Sequence, residues 1–449
     1  MVRLPKVRMP PEWGIDPVPS AARPLRTFDF FVLWSSLGVG LLVLAAGALL
    51  ANLGLAELLL VAAAGSLIGS VLLAASGVVG SRYGVPSMVS LRPVLGKRGS
   101  YVPTALNVVQ LIGWAAFELY IMAVAATAIT GPILGPATNA VWIATIGAFC
   151  ALLAVGGPLA VVRNWLRRFA IWLVYASTVA LFVVVAGRLA QGGVTWFANP
   201  GAGALLLALD LVIAMPISWW PLASDYNRFA RNERSGVVGT TLGYTVANLV
   251  FYVLGATMIL VTRLGPDRIV MSVVVLTSGW VLLLILVDET DNAFANLYST
   301  AVSLQNAFSR VRQWVFVVVV AVLAGSLATY LTALQEPIGG GYELFLLFIG
   351  GAFVPLLGVL VADFLLVRRG HYPIEEFYEK GPAVRLRPFL AWSVGAVVYV
   401  YLFATNLGLW TGLPTLPLGS SLPAFATSLA IHYGLSRGAA TAAGESAPG

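Results

Sequence analysis

Apolar runs about as long as a bilayer is thick recur along the whole chain, separated by short polar loops. Twelve of them occupy residues 28–51, 55–79, 101–130, 139–161, 165–187, 202–224, 237–262, 271–306, 314–334, 343–367, 389–407 and 420–435. A helix crosses the hydrocarbon core in about 20 residues, and these runs lack the period-2 alternation of a barrel strand, so the pattern predicts twelve transmembrane helices. The third and eighth runs exceed what a bilayer requires and are expected to tilt or protrude.

In two runs helix breakers gather in the interior. The first reads WSSLGVG (Trp34 to Gly40) at its middle, and the sixth reads AMPISWWPLASDY (Ala214 to Tyr226), where Pro216 and Pro221 bracket Ser218, Trp219 and Trp220. A proline removes a backbone hydrogen bond and clashes with the preceding turn, so unwinding is expected near Pro216. Breaks in the first and sixth spans point to a five-plus-five inverted repeat around a midplane site. The predicted organisation is therefore a first repeat over 28–187, a second over 202–367, and two further helices over 389–435. Residues 1–27 read as a cytoplasmic tail with no signal peptide, and 436–449 as a disordered one.

Composition agrees with a polytopic membrane protein: 59% of the 449 residues are hydrophobic, 10% are charged, and mean hydropathy is +0.90, whereas a soluble domain carries about 25% charge. The net charge of +7 changes meaning once the basic residues are placed. With the N-terminus inside, 23 of the 26 Lys and Arg fall on inner segments and only Arg188, Arg263 and Arg268 on outer ones. This is a positive-inside pattern with both termini cytoplasmic, in an inner membrane, and it implies no nucleic-acid partner. Cys150 is the single cysteine, His371 and His432 form no cluster, and no Walker A, HExxH or GxSxG motif is present. Neither an enzyme nor a cofactor is indicated.

The chemistry lies in acids. Glu118, Asp210, Asp288, Glu289, Asp291 and Asp363 lie in or near spans, while every Lys and Arg lies in a loop or at a span end. Such carboxylates must be protonated, solvated, or matched by a transported cation or ligand. Asp363, beside Arg368 and Arg369, reads as an anchor. At 100° per residue, Asp288, Asn292, Asn296, Ser299, Ser303 and Asn306 share a stripe flanked by Asp291, and Asn107, Gln110, Trp114 and Glu118 share another. These stripes are either interhelical glue or the lining of a cavity. In the second reading Trp114 and Trp219 or Trp220, with Ser218 between the prolines, form aromatic walls, and Gln110, Glu118, Asn292 and Asn296 read a ligand's edge. A flat heterocycle fits that chemistry. Thr290, Asp291 and free carbonyls from Ser36 through Gly38 to Gly40 are hard oxygen ligands suited to Na⁺, and the Asp291 carboxylate suits H⁺ equally.

GVPSMVSLRPVLGKRGS (84–100), QLIGW (110–114), SWWPLASDYNRFAR (218–231), TDNAFANLYS (290–299) and PLLGVLVADFLLVRRGHY (355–372) together resemble the nucleobase–cation symporter-1 (purine-cytosine permease) family, and within it the hydroxymethylpyrimidine or cytosine permease branch. The resemblance runs from residue 27 to about 435. It implies a leucine-transporter-type fold and cation-coupled import of a heterocycle by alternating access, with the ligand between helices one, three, six and eight. It also implies that Trp114 stacks the ring, that Glu118, Asn292 and Asn296 read its edge, and that Thr290 and Asp291 join the Val287 carbonyl in binding the ion. Two positions depart from the family pattern. Asp291 replaces a hydroxyl, and the aromatic expected at 216 in helix six is a proline, with tryptophans at 219 and 220. The resulting expectation is a symporter importing cytosine, hydroxymethylpyrimidine, uracil or a similar ring with Na⁺ or H⁺; the alternatives are an amino-acid or amine transporter of the same fold, and a receptor or scaffold.

Overall fold

The computed structural model describes residues 13–135, 138–334 and 340–445. Among the described residues the chain is helical, with one isolated backbone bridge between Leu25 and Ala230. Twelve helical segments follow in order: α1a (Thr27–Leu37) and α1b (Leu41–Ala48), α2 (Leu55–Tyr83), α3 (Tyr101–Leu134), α4 (Asn139–Gly156), α5 (Pro158–Gly192), α6a (Ala202–Ser218) and α6b (Trp220–Asn227), α7 (Glu233–Thr262), α8a (Ile269–Thr277) and α8b (Trp280–Ala307), α9 (Gln313–Ala333), α10 (Leu344–Val367), α11 (Leu386–Asn406) and α12 (Ser421–Glu445). Among the described residues, and counting α1 as one bent span, ten are long and apolar enough to cross a bilayer. α8 falls short because it is divided and holds three acids, and α12 because serine, threonine and glycine dilute it.

The breaks have separate causes. α1 stops at Gly38 and resumes at Leu41 with its axis turned by 62°. α6 pauses at Trp219, three residues beyond the expected unwinding at Pro216, because Pro221 has no N–H to continue the ladder and starts α6b instead. The eighth run is not one long span. Ser278 (φ 53°) and Gly279 (φ 83°) are both left-handed and end α8a before α8b begins. The length of that run therefore reflects a short helix joined to a full one, and of the two long runs the third alone is a single helix, of 34 residues.

α1 packs along α7, α3 along α8b, α2 against α6a and α7, and α10, α11 and α12 pack together. The α1b–α7 approach is very close. A Cβ on Gly255 would strike the Leu44 carbonyl, and one on Gly47 would lie 2.5 Å from the Tyr252 oxygen. Membrane helices gain packing energy by such contacts between small residues.

The expected tails need correction. Residues 13–26 form a packed strap across the face that carries the basic loops, with Val18 and Leu25 buried. Arg228 Nη1 donates to Gly14 O at 2.7 Å, Tyr378 OH to Ile15 O at 2.7 Å, Val18 N to Gly84 O at 2.9 Å and Leu25 N to Phe229 O at 3.1 Å. Three loops thus supply the partners that a disordered segment lacks. At the other end α12 continues to Glu445, since GAATAAGE is rich in strong helix-forming alanine. Residues 1–12 and 446–449 of the expected tails lie outside the described residues.

Candidate substrate and cation site

A cluster of buried acids gathers where α1 breaks. α8b passes the break and presents Asp288, Glu289, Asp291 and Asn292, all buried, to residues 36–41. Ser36 Oγ donates to Asp288 Oδ1 at 2.8 Å. Asn292 Nδ2 donates to Val39 O at 3.0 Å and to Glu289 Oε2 at 3.3 Å. Glu289 Oε1 accepts the Leu41 N–H, the first of α1b. That bond fills one of the donors that every helix N-terminus leaves open, with a carboxylate at the positive end of the dipole. α3 contributes Glu118, which is buried and lines the same pocket as Gly40 and Asn292.

Four buried acids therefore converge, and among the described residues no Lys, Arg or His forms an ion pair with any of them. The single Ser36 hydroxyl proton goes to Asp288, so both oxygens of the neighbouring Asp291 are buried without a hydrogen bond, as is Asp288 Oδ2. A buried carboxylate left unpaired is costly. Thr290 Oγ1 donates to Val287 O at 2.7 Å, which places those two oxygens side by side one turn away. Gly38 packs on α7, where a Cβ would lie 2.9 Å from that of Ala247.

Beside the acids lies a chamber lined by Leu37, Gly40, Leu42, Trp114, Glu118, Ser218, Trp219, Asn292 and Asn296. Its free space is only about 20 Å³, less than a heterocyclic ring needs. A vestibule of about 160 Å³ adjoins it, shares Leu42, Trp114, Met215 and Ser218, and runs away from the basic face to Pro266 and Asp267. Trp114 stands edge-on to Phe345 of α10, with ring centroids 5.3 Å apart.

Most of the candidate substrate residues meet here, but two do not. Trp220 turns to α10, donating Nε1 to Phe353 O at 2.9 Å, so the wall is Trp219. Gln110 lies a turn closer to the basic face, donating Nε2 to Asn107 Oδ1 at 2.6 Å. Ser218 borders the chamber, yet its hydroxyl donates to Met215 O. The lower half of the α8b stripe is also structural. Ser303 accepts from Asn107 Nδ2 at 2.9 Å, and Asn306 bonds Ser100, Thr104 and Arg92. Asp210 caps α12 through the Ser420 and Ser421 N–H groups, and Asp363 accepts from Tyr372 OH and pairs with His432. Sequence reasoning left Glu289 without a role, because its partner across the break is a backbone N–H of α1b, which no spacing along α8b reveals.

The sequence profile of a family described as permeases for cytosine/purines, uracil, thiamine and allantoin matches residues 17–429. The chain belongs to that family. This permease is 26% identical over 430 residues to a hydantoin permease of Microbacterium maritypicum, covering 88% of this chain and 85% of that one. Its fold matches that of Mhp1, a nucleobase-cation-symport-1 family transporter solved in a closed conformation with bromovinylhydantoin bound, at a TM-score of 0.75 and 21% identity over 96% of each chain. A Na⁺-coupled sialic acid symporter shares the fold more distantly, at a TM-score of 0.59 and 12% identity over 93% of this permease and 91% of the symporter. The architecture is thus the leucine-transporter type, with its five-plus-five repeat and two added helices, and the chain is a multi-pass transporter.

Proposed function

We propose that this permease imports a nucleobase-like heterocycle, such as cytosine, hydroxymethylpyrimidine or uracil, together with Na⁺ or H⁺, by alternating access in the inner membrane with both termini cytoplasmic. Trp114 and Trp219 stack the ring, and Glu118, Asn292 and Asn296 read its edge. Asp291, with Ser36, the Asp288 carboxyl, Thr290 and the Val287 carbonyl nearby, receives the cation. The observation that carries this reading is the juxtaposition of an indole-walled chamber with four uncompensated acids at the α1 break. A positive charge that no side chain supplies is the natural complement of those acids, and a flat ring with polar edges is that of the chamber.

Coupling follows from shared parts. The cation partners Ser36 and Asp288 lie on the same two helices as the ring-reading Asn292, so an ion that draws α1a toward α8b also sets the chamber. The distribution of Lys and Arg supports a reading in which the vestibule opens on the outer side of the membrane. Quenching of intrinsic tryptophan fluorescence by cytosine, uracil, hydroxymethylpyrimidine and hydantoin, against a panel of amino acids and amines, tests the substrate class. Saturable quenching by at least one heterocycle is expected; quenching by the amino acids or amines alone would replace this reading with the other transporter class.

A further inference from the structure

A further cavity, of about 280 Å³, lies between α6a on one side and α10 and α11 on the other. It joins the vestibule through Leu49, Leu211, Ala214, Ser218 and Leu346, but Trp114, Trp219 and the acids of the α1 break do not line it. An apolar hole of about 150 Å³ admits benzene, so this space takes a ring with a short chain. Its walls are mostly apolar, Leu211, Ile217, Ile349, Phe353 and Phe403 among them. Polar groups line it at two levels. Near the start of α12, the Ser420 and Ser421 N–H groups donate to the two Asp210 oxygens at 2.8 Å each, and Asn406 Nδ2 donates to Leu418 O at 2.8 Å. Both side chains thus grip the same short segment and stand close together. A carboxylate offers about four acceptor sites, of which those N–H groups leave about half. Among the described residues no Lys, Arg or His pairs with Asp210. Tyr399 lies two turns deeper on α11 than Asn406, a distance of roughly 10 Å along the axis, and stacks on Phe403 with ring centroids 5.7 Å apart. It is 3% exposed and lines the cavity, and its hydroxyl, packed over Gly350, has no hydrogen-bond partner among the described residues. A buried hydroxyl ordinarily finds one.

We propose that this cavity is a second binding site, separate from the ring chamber, for an arylalkylamine that carries a hydroxyl at the far end of its ring. The ammonium sits on Asp210, whose charge no side chain neutralises, with the Asn406 amide oxygen close by. The ring runs along Phe403, and the hydroxyl meets that of Tyr399. An ammonium has three N–H donors and no acceptor, which suits a carboxylate with lone pairs to spare. Such a charged hydrogen bond is roughly twice as strong as a neutral one. An anionic ligand is repelled by Asp210, and a plain hydrocarbon leaves Tyr399 unpartnered, so neither is the complement of these walls. The site stands apart from the heterocycle reading, and its ligand is tested with no heterocycle present.

The test is calorimetric titration of the purified full chain in zwitterionic nanodiscs, with empty discs subtracted, by tyramine, phenethylamine, 4-ethylphenol and 3-(4-hydroxyphenyl)propionate. Tyramine is expected to bind most tightly. Phenethylamine, which lacks the hydroxyl, should be severalfold weaker, 4-ethylphenol, which lacks the ammonium, on the order of tenfold or more weaker, and the propionate should not bind. Asp210→Asn keeps an acceptor for the start of α12 and should bring tyramine down to the level of 4-ethylphenol. Tyr399→Phe should bring tyramine down to the level of phenethylamine and leave phenethylamine itself within about twofold. Trp219→Ala, which strips the ring chamber, should leave tyramine within about twofold. Should Asp210→Asn fail to fold, the ligand series and Tyr399→Phe still decide. Absence of tyramine binding, equal binding of all four compounds, full tyramine affinity in Asp210→Asn or Tyr399→Phe, or loss of tyramine binding in Trp219→Ala would overturn the proposal while heterocycle transport stands.

Discussion

Replacing Arg92 with methionine removes a side chain that joins α8b, the segment between α2 and α3, and the segment between α10 and α11. Arg92 lies outside the spans but is 3% exposed. Its Nε donates to Asn306 Oδ1 at 2.9 Å, Nη2 to Asn306 O at 3.2 Å and Nη1 to Phe377 O at 2.9 Å, and the guanidinium lies 5.8 Å from the Tyr378 ring centroid. Hydrogen bonds to a charged group contribute about 1.5–3 kcal/mol each. Counting the two bonds to Asn306 as one anchor and that to Phe377 as another gives about 3–6 kcal/mol. Against this stands the cost of burying the guanidinium, which is also what pulls its pKa below the ordinary arginine value. Methionine restores part of the packing and recovers that desolvation, but it leaves the two carbonyl anchors unpaired. A net loss of about 2–4 kcal/mol is expected. For large domains each kcal/mol lowers Tm by about 2 °C, so the shift should be roughly 4–8 °C. Cys150 is buried and is the only cysteine, so a maleimide dye that fluoresces on reaction reports opening of the fold in detergent. Arg92→Lys, a point charge able to reach one anchor but not fork to both, should fall between. Melting of Arg92→Met within 1 °C of wild type would refute the reasoning.

Two contrasts probe the site and the frame. Trp219→Ala should weaken heterocycle binding on the order of tenfold or more by removing a stacking wall, whereas Trp220→Phe, which loses a bond to Phe353 O, should lower Tm and leave affinity within about twofold; equilibrium binding beside the dye melt separates them. Gly255→Leu drives a side chain into the Leu44 carbonyl and should abolish monodisperse protein on size exclusion, while Gly434→Ala, where nothing lies within 4 Å, should behave as wild type.

How much of this was visible beforehand divides along a physical line. Apolar runs report a bilayer, which is one-dimensional information, and the succession of helical segments was legible from it, except that the eighth run is two helices. The α1 break was legible too, since Gly38 and Gly40 flank a β-branched residue that gains nothing from remaining helical. The α6 break was misplaced by three residues because two prolines compete, and Pro221, as the start of α6b, decides. Ser278 and Gly279 were hidden inside an apolar run, where their left-handed backbone leaves no trace in hydropathy. The α8b stripe read as one path, but a helical stripe names a face and not its partners. Asp288 to Asn296 meet the α1 break and the chamber, whereas Ser303 and Asn306 meet α3 and Arg92 and serve as glue. Adjacent residues on a helix point about 100° apart, so only packing chooses Trp219 over Trp220.

Uptake into proteoliposomes addresses cation-coupled import at this site most directly. Vesicles carrying the wild type, loaded without substrate, are given an inward Na⁺ gradient or an inward pH gradient, and accumulation of the labelled heterocycle that quenches best is followed. One gradient should drive accumulation above the equilibrium level in the wild type, and Asp291→Asn should bring uptake down to equilibration with substrate binding retained. Full gradient-driven accumulation by Asp291→Asn, or wild-type uptake indifferent to both gradients, would contradict the account.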